Sequence, residues 1–143
     1  MRTLFDQYKH PENRLTHALM TSLYEDPALL GNFIEWATGK PAPVPASKLC
    51  VLEQSLPNED EPEEEEENVA ERKGLPDGCI HDSNGWALLI ESKISAHLDS
   101  NQLRSHRRSA KDHDLTNVDL LALVAAEERP TNEAVVKAFR PKA

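Results

Sequence analysis

Apolar residues recur along the chain with two different periods, and the changes of period divide it into helices and strands. Leu15, Ala18, Leu19 and Leu23 keep helical spacing and predict a helix entered through His10-Pro11-Glu12-Asn13-Arg14. Asp26-Pro27 predicts the start of a second helix, a cap residue followed by proline at the first helical position. Its apolar residues Leu29, Leu30, Phe33, Ile34 and Trp36 are expected to form the face turned to the core, Trp36 included, and Gly39 to stop it. Residues 40–45, with three prolines, form a stiff extended connector. Residues 48–54 have the length and apolarity of a first strand. Residues 78–82 and 86–94 read as the two arms of a hairpin around Asp82-Ser83-Asn84-Gly85. The second arm is dense in apolar residues from Trp86 to Ile90, as in a strand covered on both faces, and then turns abruptly charged at Glu91 and Lys93. Residues 98–111 predict a helix capped by Asp99 or Ser100. Residues 117–126 predict a fourth strand and residues 131–139 a short last helix.

With 143 residues, 38% of them hydrophobic, there is room for one domain with a core. No apolar run approaches the ~20 residues that span a bilayer, and the first residues lack the apolar region of a signal peptide. Two cysteines, Cys50 and Cys79, are too few for a zinc site or a disulfide framework; they suit small apolar positions on strands and a cytoplasmic location. The net charge of −9 argues at first against a nucleic-acid partner, but residues 59–67 alone carry eight acidic groups and no basic one. Without them the rest of the chain is at −1, so its basic residues can cluster. The run itself reads as a solvated loop between the first and second strands. Two functional alternatives are that it imitates a nucleic-acid backbone in a basic cleft, or that it binds basic proteins.

The hairpin carries the chemistry. With Ser83-Asn84-Gly85 as its loop, Asp82 pairs with Trp86, and Asp77 then lies directly opposite Glu91, their Cβ atoms about 5 Å apart. A loop of two or four residues would shift the pairing by one and still leave the carboxylates close. Lys93, two residues beyond Glu91, projects on the same face. Two carboxylates at that separation repel unless a proton or a cation lies between them. Mg²⁺, for which Mn²⁺ substitutes, takes one or two carboxylates and completes its shell with water and phosphate oxygens. The lysine beside it can orient or help deprotonate an attacking water, or stabilise charge on the phosphate. The plain alternative is a solvated Glu–Lys pair at a strand end.

Pro76-Asp77, thirteen intervening residues, then Glu91-Ser92-Lys93 resembles the PD-(D/E)xK signature of the restriction-endonuclease-like phosphodiesterases. The resemblance implies an α/β fold with an αβββαβ core, a central mixed four-stranded sheet flanked by helices, within a single domain. It implies a Mg²⁺-dependent nuclease in which Asp77 and Glu91 hold the metal, with the Ser92 backbone carbonyl as an extra ligand, and Lys93 serves the water. It also gives Glu12 a metal-site role from the first helix, where the residue equally suits the helix dipole, and makes Gln102 an accessory catalytic residue. Whether His106, one turn on, shares the Gln102 face is open. Arg104, Arg107, Arg108 and Lys111 form the densest basic stretch and are expected to grip phosphates, with a solvated face as the alternative.

The expected activity is a DNA endonuclease of low sequence specificity, with RNA as the second possible substrate and phage defence or mobile-element biology as the setting. The competing expectation is a non-catalytic nucleic-acid-binding or protein-interaction module on the same fold. A homodimer or larger assembly, and membership of a longer chain, are both compatible with the sequence.

Overall fold

A computed structural model describes residues 11–57, 74–93 and 98–124. Helix α1 (Pro11–Glu25) and helix α2 (Pro27–Thr38) precede strand β1 (Cys50–Glu53). The hairpin β2 (Gly78–His81) and β3 (Trp86–Lys93) leads to helix α3 (Ser100–Asp112) and strand β4 (Asn117–Val124). The acidic run and the expected last helix lie outside the described residues, as does the end of the fourth strand beyond Val124.

Local chemistry sets the element boundaries. Asp26 caps α2 by accepting from the Ala28 and Leu29 amides, Pro27 occupies the first turn, and Gly39 closes the helix in the left-handed region at φ 72°. Asp99 caps α3 through the Asn101 amide. At the hairpin tip one Asp82 oxygen accepts from both the Asn84 amide (2.8 Å) and the Trp86 amide (3.0 Å), which fixes a three-residue loop. β1 is shorter than expected. Residues 46–48 turn as a 3₁₀ helix, and Gln54 leaves the strand at φ 47°.

The four strands form one mixed sheet in the order β1-β2-β3-β4. The first three are antiparallel and β4 runs parallel to β3, a pairing that needs the crossover supplied by α3. The hairpin register is Gly78 with Ile90, Cys79 with Leu89, Ile80 with Leu88 and His81 with Ala87, the pairing expected from a three-residue loop.

Strand alternation divides the core into two layers. Ile80, Leu88 and Ile90 face Met20 and Leu23 of α1 and Leu30 and Ile34 of α2. Cys79, Ala87 and Leu89 face the other way, toward Ala110 on α3, with Leu56, Leu75 and Leu115. α1 approaches closely because Gly78 has no side chain: a Cβ there would lie 2.7 Å from Met20 Sδ.

Three assignments from hydrophobic spacing are corrected, one of them Leu29, which is exposed on α2 rather than turned to the core. Leu15 is exposed, and the inner face of α1 is Thr16, Met20 and Leu23. Trp36 is 69% exposed rather than core. Leu30 and Ile34, four apart, define the buried stripe of α2. Trp36 falls on its outer side, tilted against Phe33 at 5.8 Å between ring centroids. Both cysteines are free; Cys50 is exposed on β1 and Cys79 is buried on β2. Among the described residues no helix is long and apolar enough to cross a membrane.

Candidate active site at one end of the sheet

The alternation that buries Leu89 toward α3 carries on to Glu91 and Lys93, so both belong to the α3 face, at the end of β3 remote from the hairpin tip. Asp77, one rung beyond the Gly78–Ile90 pair, lies opposite Glu91. Its backbone carbonyl accepts from the Gln54 amide (2.9 Å), and its Oδ2 accepts from the Ser92 amide at 2.8 Å. Asp77 is therefore held from two sides, its backbone carbonyl by Gln54 at the end of β1 and its carboxylate by Ser92 on β3.

Glu91 is 2% exposed, and its two oxygens have different neighbours. Oε1 is 3.3 Å from Lys93 Nζ, and Oε2 is 2.7 Å from Nε2 of His106, itself 1% exposed. The other ring nitrogen of His106, Nδ1, lies 3.0 Å from the Gly74 carbonyl. A carbonyl only accepts, so Nδ1 carries a hydrogen, and a second proton is shared between Nε2 and the carboxylate. Both ring nitrogens are thereby engaged, so His106 orients Glu91 and is not a metal donor. Gly74 makes this possible: it adopts φ 69°, and a Cβ there would lie 2.5 Å from Ser105 Oγ on α3.

These contacts perturb the titrations. Burial, then the Glu91 charge, pushes Asp77 from its ordinary 3.8 up to about 7, against the opposing pull of the Ser92 amide, Lys93 and His106. Burial by itself would lower His106, but its hydrogen bond to Glu91, the Glu91 charge, the Gly74 carbonyl and Asp77 outweigh it, and the net shift is upward. The site holds two mutually repelling carboxylates in poor contact with water, which is the environment a cation relieves.

The donor set suits a hard ion such as Mg²⁺. Its protein ligands are oxygens, it needs only one or two carboxylates, and it keeps several waters. Among the described residues no three His, Cys, Asp or Glu side chains gather as a metal-binding group.

The remaining candidates stand at different distances from this cluster. Ser92 turns its side chain to the opposite face, where it accepts from Thr16 Oγ1 at 2.9 Å. Thr16 and Met20 step along α1 as Ser92 and Ile90 step along β3. One further turn brings the Glu12 backbone to the same end of the sheet; its side chain lies outside the described residues. Gln102 is half-buried on α3, one turn before His106, and among the described hydrogen bonds none joins it to Asp77, Glu91 or Lys93.

At about 100° per residue, Arg104, Arg107, Arg108 and Lys111 fall within an arc of about 100° on α3, on the flank turned away from Ser105, Ser109 and Gly74. Three of them are exposed; Arg107 is half-buried, and its Nε has no partner among the described residues.

The sequence left His106 open, yet it contained a signal. Leu103, His106 and Ala110 are the buried residues of α3, spaced i, i+3, i+7, so a histidine interrupts an otherwise apolar stripe. His17 pairs with Glu53 at 2.8 Å and ties α1 to β1.

No family model, curated protein or solved structure matches the chain.

Proposed function

We propose that the protein is a Mg²⁺-dependent phosphodiesterase acting on nucleic acid, most naturally a DNA endonuclease, on a restriction-endonuclease-like αβββαβ core. The observation that carries this reading is the convergence of Asp77, Glu91 and Lys93 on one face at one sheet end, with Asp77 driven up to about 7 by burial and by Glu91. A bound Mg²⁺ would polarise a phosphoryl oxygen and acidify a water.

The chain's own residues supply the rest. Asp77 and Glu91 would hold the ion, and His106 fixes the Glu91 carboxylate by its Oε2. Lys93, whose Nζ lies 3.3 Å from Glu91 Oε1, would orient the attacking water or stabilise the negative phosphate. The basic arc of α3 contacts phosphates rather than bases, which gives low sequence specificity and strong salt dependence.

The test is cleavage of plasmid, linear and single-stranded DNA, and of RNA, in Mg²⁺ and Mn²⁺, by wild type, Asp77→Ala and Lys93→Ala. Activity in the wild type alone supports the reading. Equal activity in all three means that the cleavage comes from elsewhere.

One observation favours a second reading. Both Glu91 oxygens are already engaged by cationic side chains, as they would be in a binding module that retains the fold without the chemistry. Calorimetry with Mn²⁺ separates the two, since the module binds no ion.

A further inference from the structure

Helix α2 carries a single charged residue, Glu35, and its apolar residues occupy two stripes rather than one. Leu30 and Ile34 form the inner stripe, packed on the sheet. Leu29, Phe33 and Trp36, spaced i, i+4 and i+7, form a second stripe along the outer flank. With Ala37 between them, the two stripes make an apolar arc of about 160° at 100° per residue, where about 100° seats a surface helix on one core. Leu29 is 42% exposed and Trp36 still more so, with Phe33 half-buried between them. Leucine, phenylalanine and tryptophan aligned in water have the composition of a contact that something covers.

The charges at the two ends of the helix indicate what covers it. Glu25 and Asp26 are exposed just before α2, and Lys40 is exposed just after its Gly39 cap. Among the described residues no ion pair engages Glu25 or Lys40. Asp26 lies seven residues before Phe33 and Lys40 seven after it; Leu29 lies four before and Trp36 three after. The helix is therefore complementary to its own reverse. When a second α2 is laid antiparallel with the two-fold axis at Phe33, the two Phe33 rings meet and Leu29 of each copy packs beside Trp36 of the other. The acidic start of each helix then faces Lys40 of the other, and the two helix dipoles oppose. A parallel arrangement would set acid against acid and lysine against lysine.

We propose that the outer stripe of α2 is the surface through which two copies of this chain associate, antiparallel and isologous, about an axis at Phe33. The proposal does not depend on the metal-dependent reading. α2 covers the face of the sheet opposite α3, so association leaves Asp77, Glu91, Lys93 and the basic arc of both copies on the outer faces of the pair. A helix about 18 Å long gives a contact smaller than the ~1,200 Å² of a stable complex. The pair is accordingly a concentration-dependent one, and in dilute solution Trp36 stands in water.

The experiment is sedimentation equilibrium of the full chain from dilute to concentrated protein. It compares wild type, Trp36→Ala, Lys40→Glu and the double variant Glu25→Lys/Lys40→Glu. All three positions are exposed, so the variants keep the fold, which circular dichroism checks. The expected result is a monomer–dimer equilibrium in the wild type, with the dissociation constant raised about tenfold or more by Trp36→Ala. Lys40→Glu should weaken the dimer by setting acid against acid, and the double variant should restore it by exchanging the two ends.

A wild type that stays monomeric at every concentration overturns the proposal. If its Trp36 is also shielded from acrylamide quenching, residues of the same chain outside the described ones cover the stripe instead. A dimer that Trp36→Ala leaves unchanged forms through another surface, and a double variant no better than Lys40→Glu rules out the antiparallel arrangement; either result overturns the proposal as well.

Discussion

Replacing Asp77 by asparagine should make the metal-free protein more stable at pH 8. The Asp77 carboxyl titrates near 7 in the folded protein against an ordinary 3.8, so between those values the native state holds a proton that the unfolded chain has lost. Stability contributed by that proton is fully present below about pH 4 and is lost as pH rises through 7. A gap of about 3 pH units corresponds to about 4 kcal/mol at pH 8. Relaxation of the site and entry of water reduce the measured gain to about 2–4 kcal/mol. The asparagine side chain retains an oxygen to accept from the Ser92 amide, so the bond that Asp77 makes at 2.8 Å need not be lost.

The assay is urea unfolding of wild type and Asp77→Asn with chelator present, from pH 4 to pH 8.5. The difference should be small at pH 4 and grow through neutrality, with the variant the more stable. His106, also shifted upward, moves stability in the same direction, so the variant keeps a residual decline with pH. A variant less stable than wild type at pH 8, or a difference independent of pH, would refute the reasoning. Excess Mg²⁺ should then stabilise the wild type by RT ln(1 + [Mg²⁺]/Kd) and leave Asp77→Asn unmoved.

His106→Ala should remove the donor that holds Glu91 Oε2 and leave the Gly74 carbonyl unmatched, costing about 3–5 kcal/mol because a buried carboxylate loses a partner; denaturant unfolding measures it. Gly74→Ala should destabilise by about 1–3 kcal/mol through its positive φ and the clash with Ser105, again by denaturant unfolding. Ile34→Ala, at a fully buried position, should cost about 2–5 kcal/mol, whereas Trp36→Ala should stay within about 1 kcal/mol, since that ring is largely in water. Reversing Arg104 and Arg108 to glutamate should leave the fold intact and weaken DNA binding, with a flatter dependence of affinity on salt concentration in fluorescence anisotropy.

Much of the hairpin was legible because turn chemistry and strand period act locally. Asp82 and Gly85 set the loop length, the loop length sets the register, and the register sets Asp77 against Glu91. The cap at Asp26 and the stop at Gly39 were legible for the same reason. What the sequence concealed depends on packing between elements distant in the chain. Hydrophobicity alone put Trp36 in the core, but which side of α2 is covered depends on where α1 and the sheet lie. His106 reaches Glu91 because α3 crosses back over β3, a geometry no local pattern encodes. The Thr16–Ser92 bond, spanning 76 residues of sequence, is of the same kind.

The central claim is that Asp77 and Glu91 share a divalent cation. Anomalous diffraction from crystals soaked in Mn²⁺ tests it without reference to any substrate. The account predicts a single strong peak with an oxygen of each carboxylate at about 2.1 Å, near the distance expected for a small divalent ion, and the Ser92 carbonyl in its shell. A structure that takes up Mn²⁺ elsewhere, or leaves Glu91 clasped by Lys93 and His106 with no peak between the carboxylates, would contradict it.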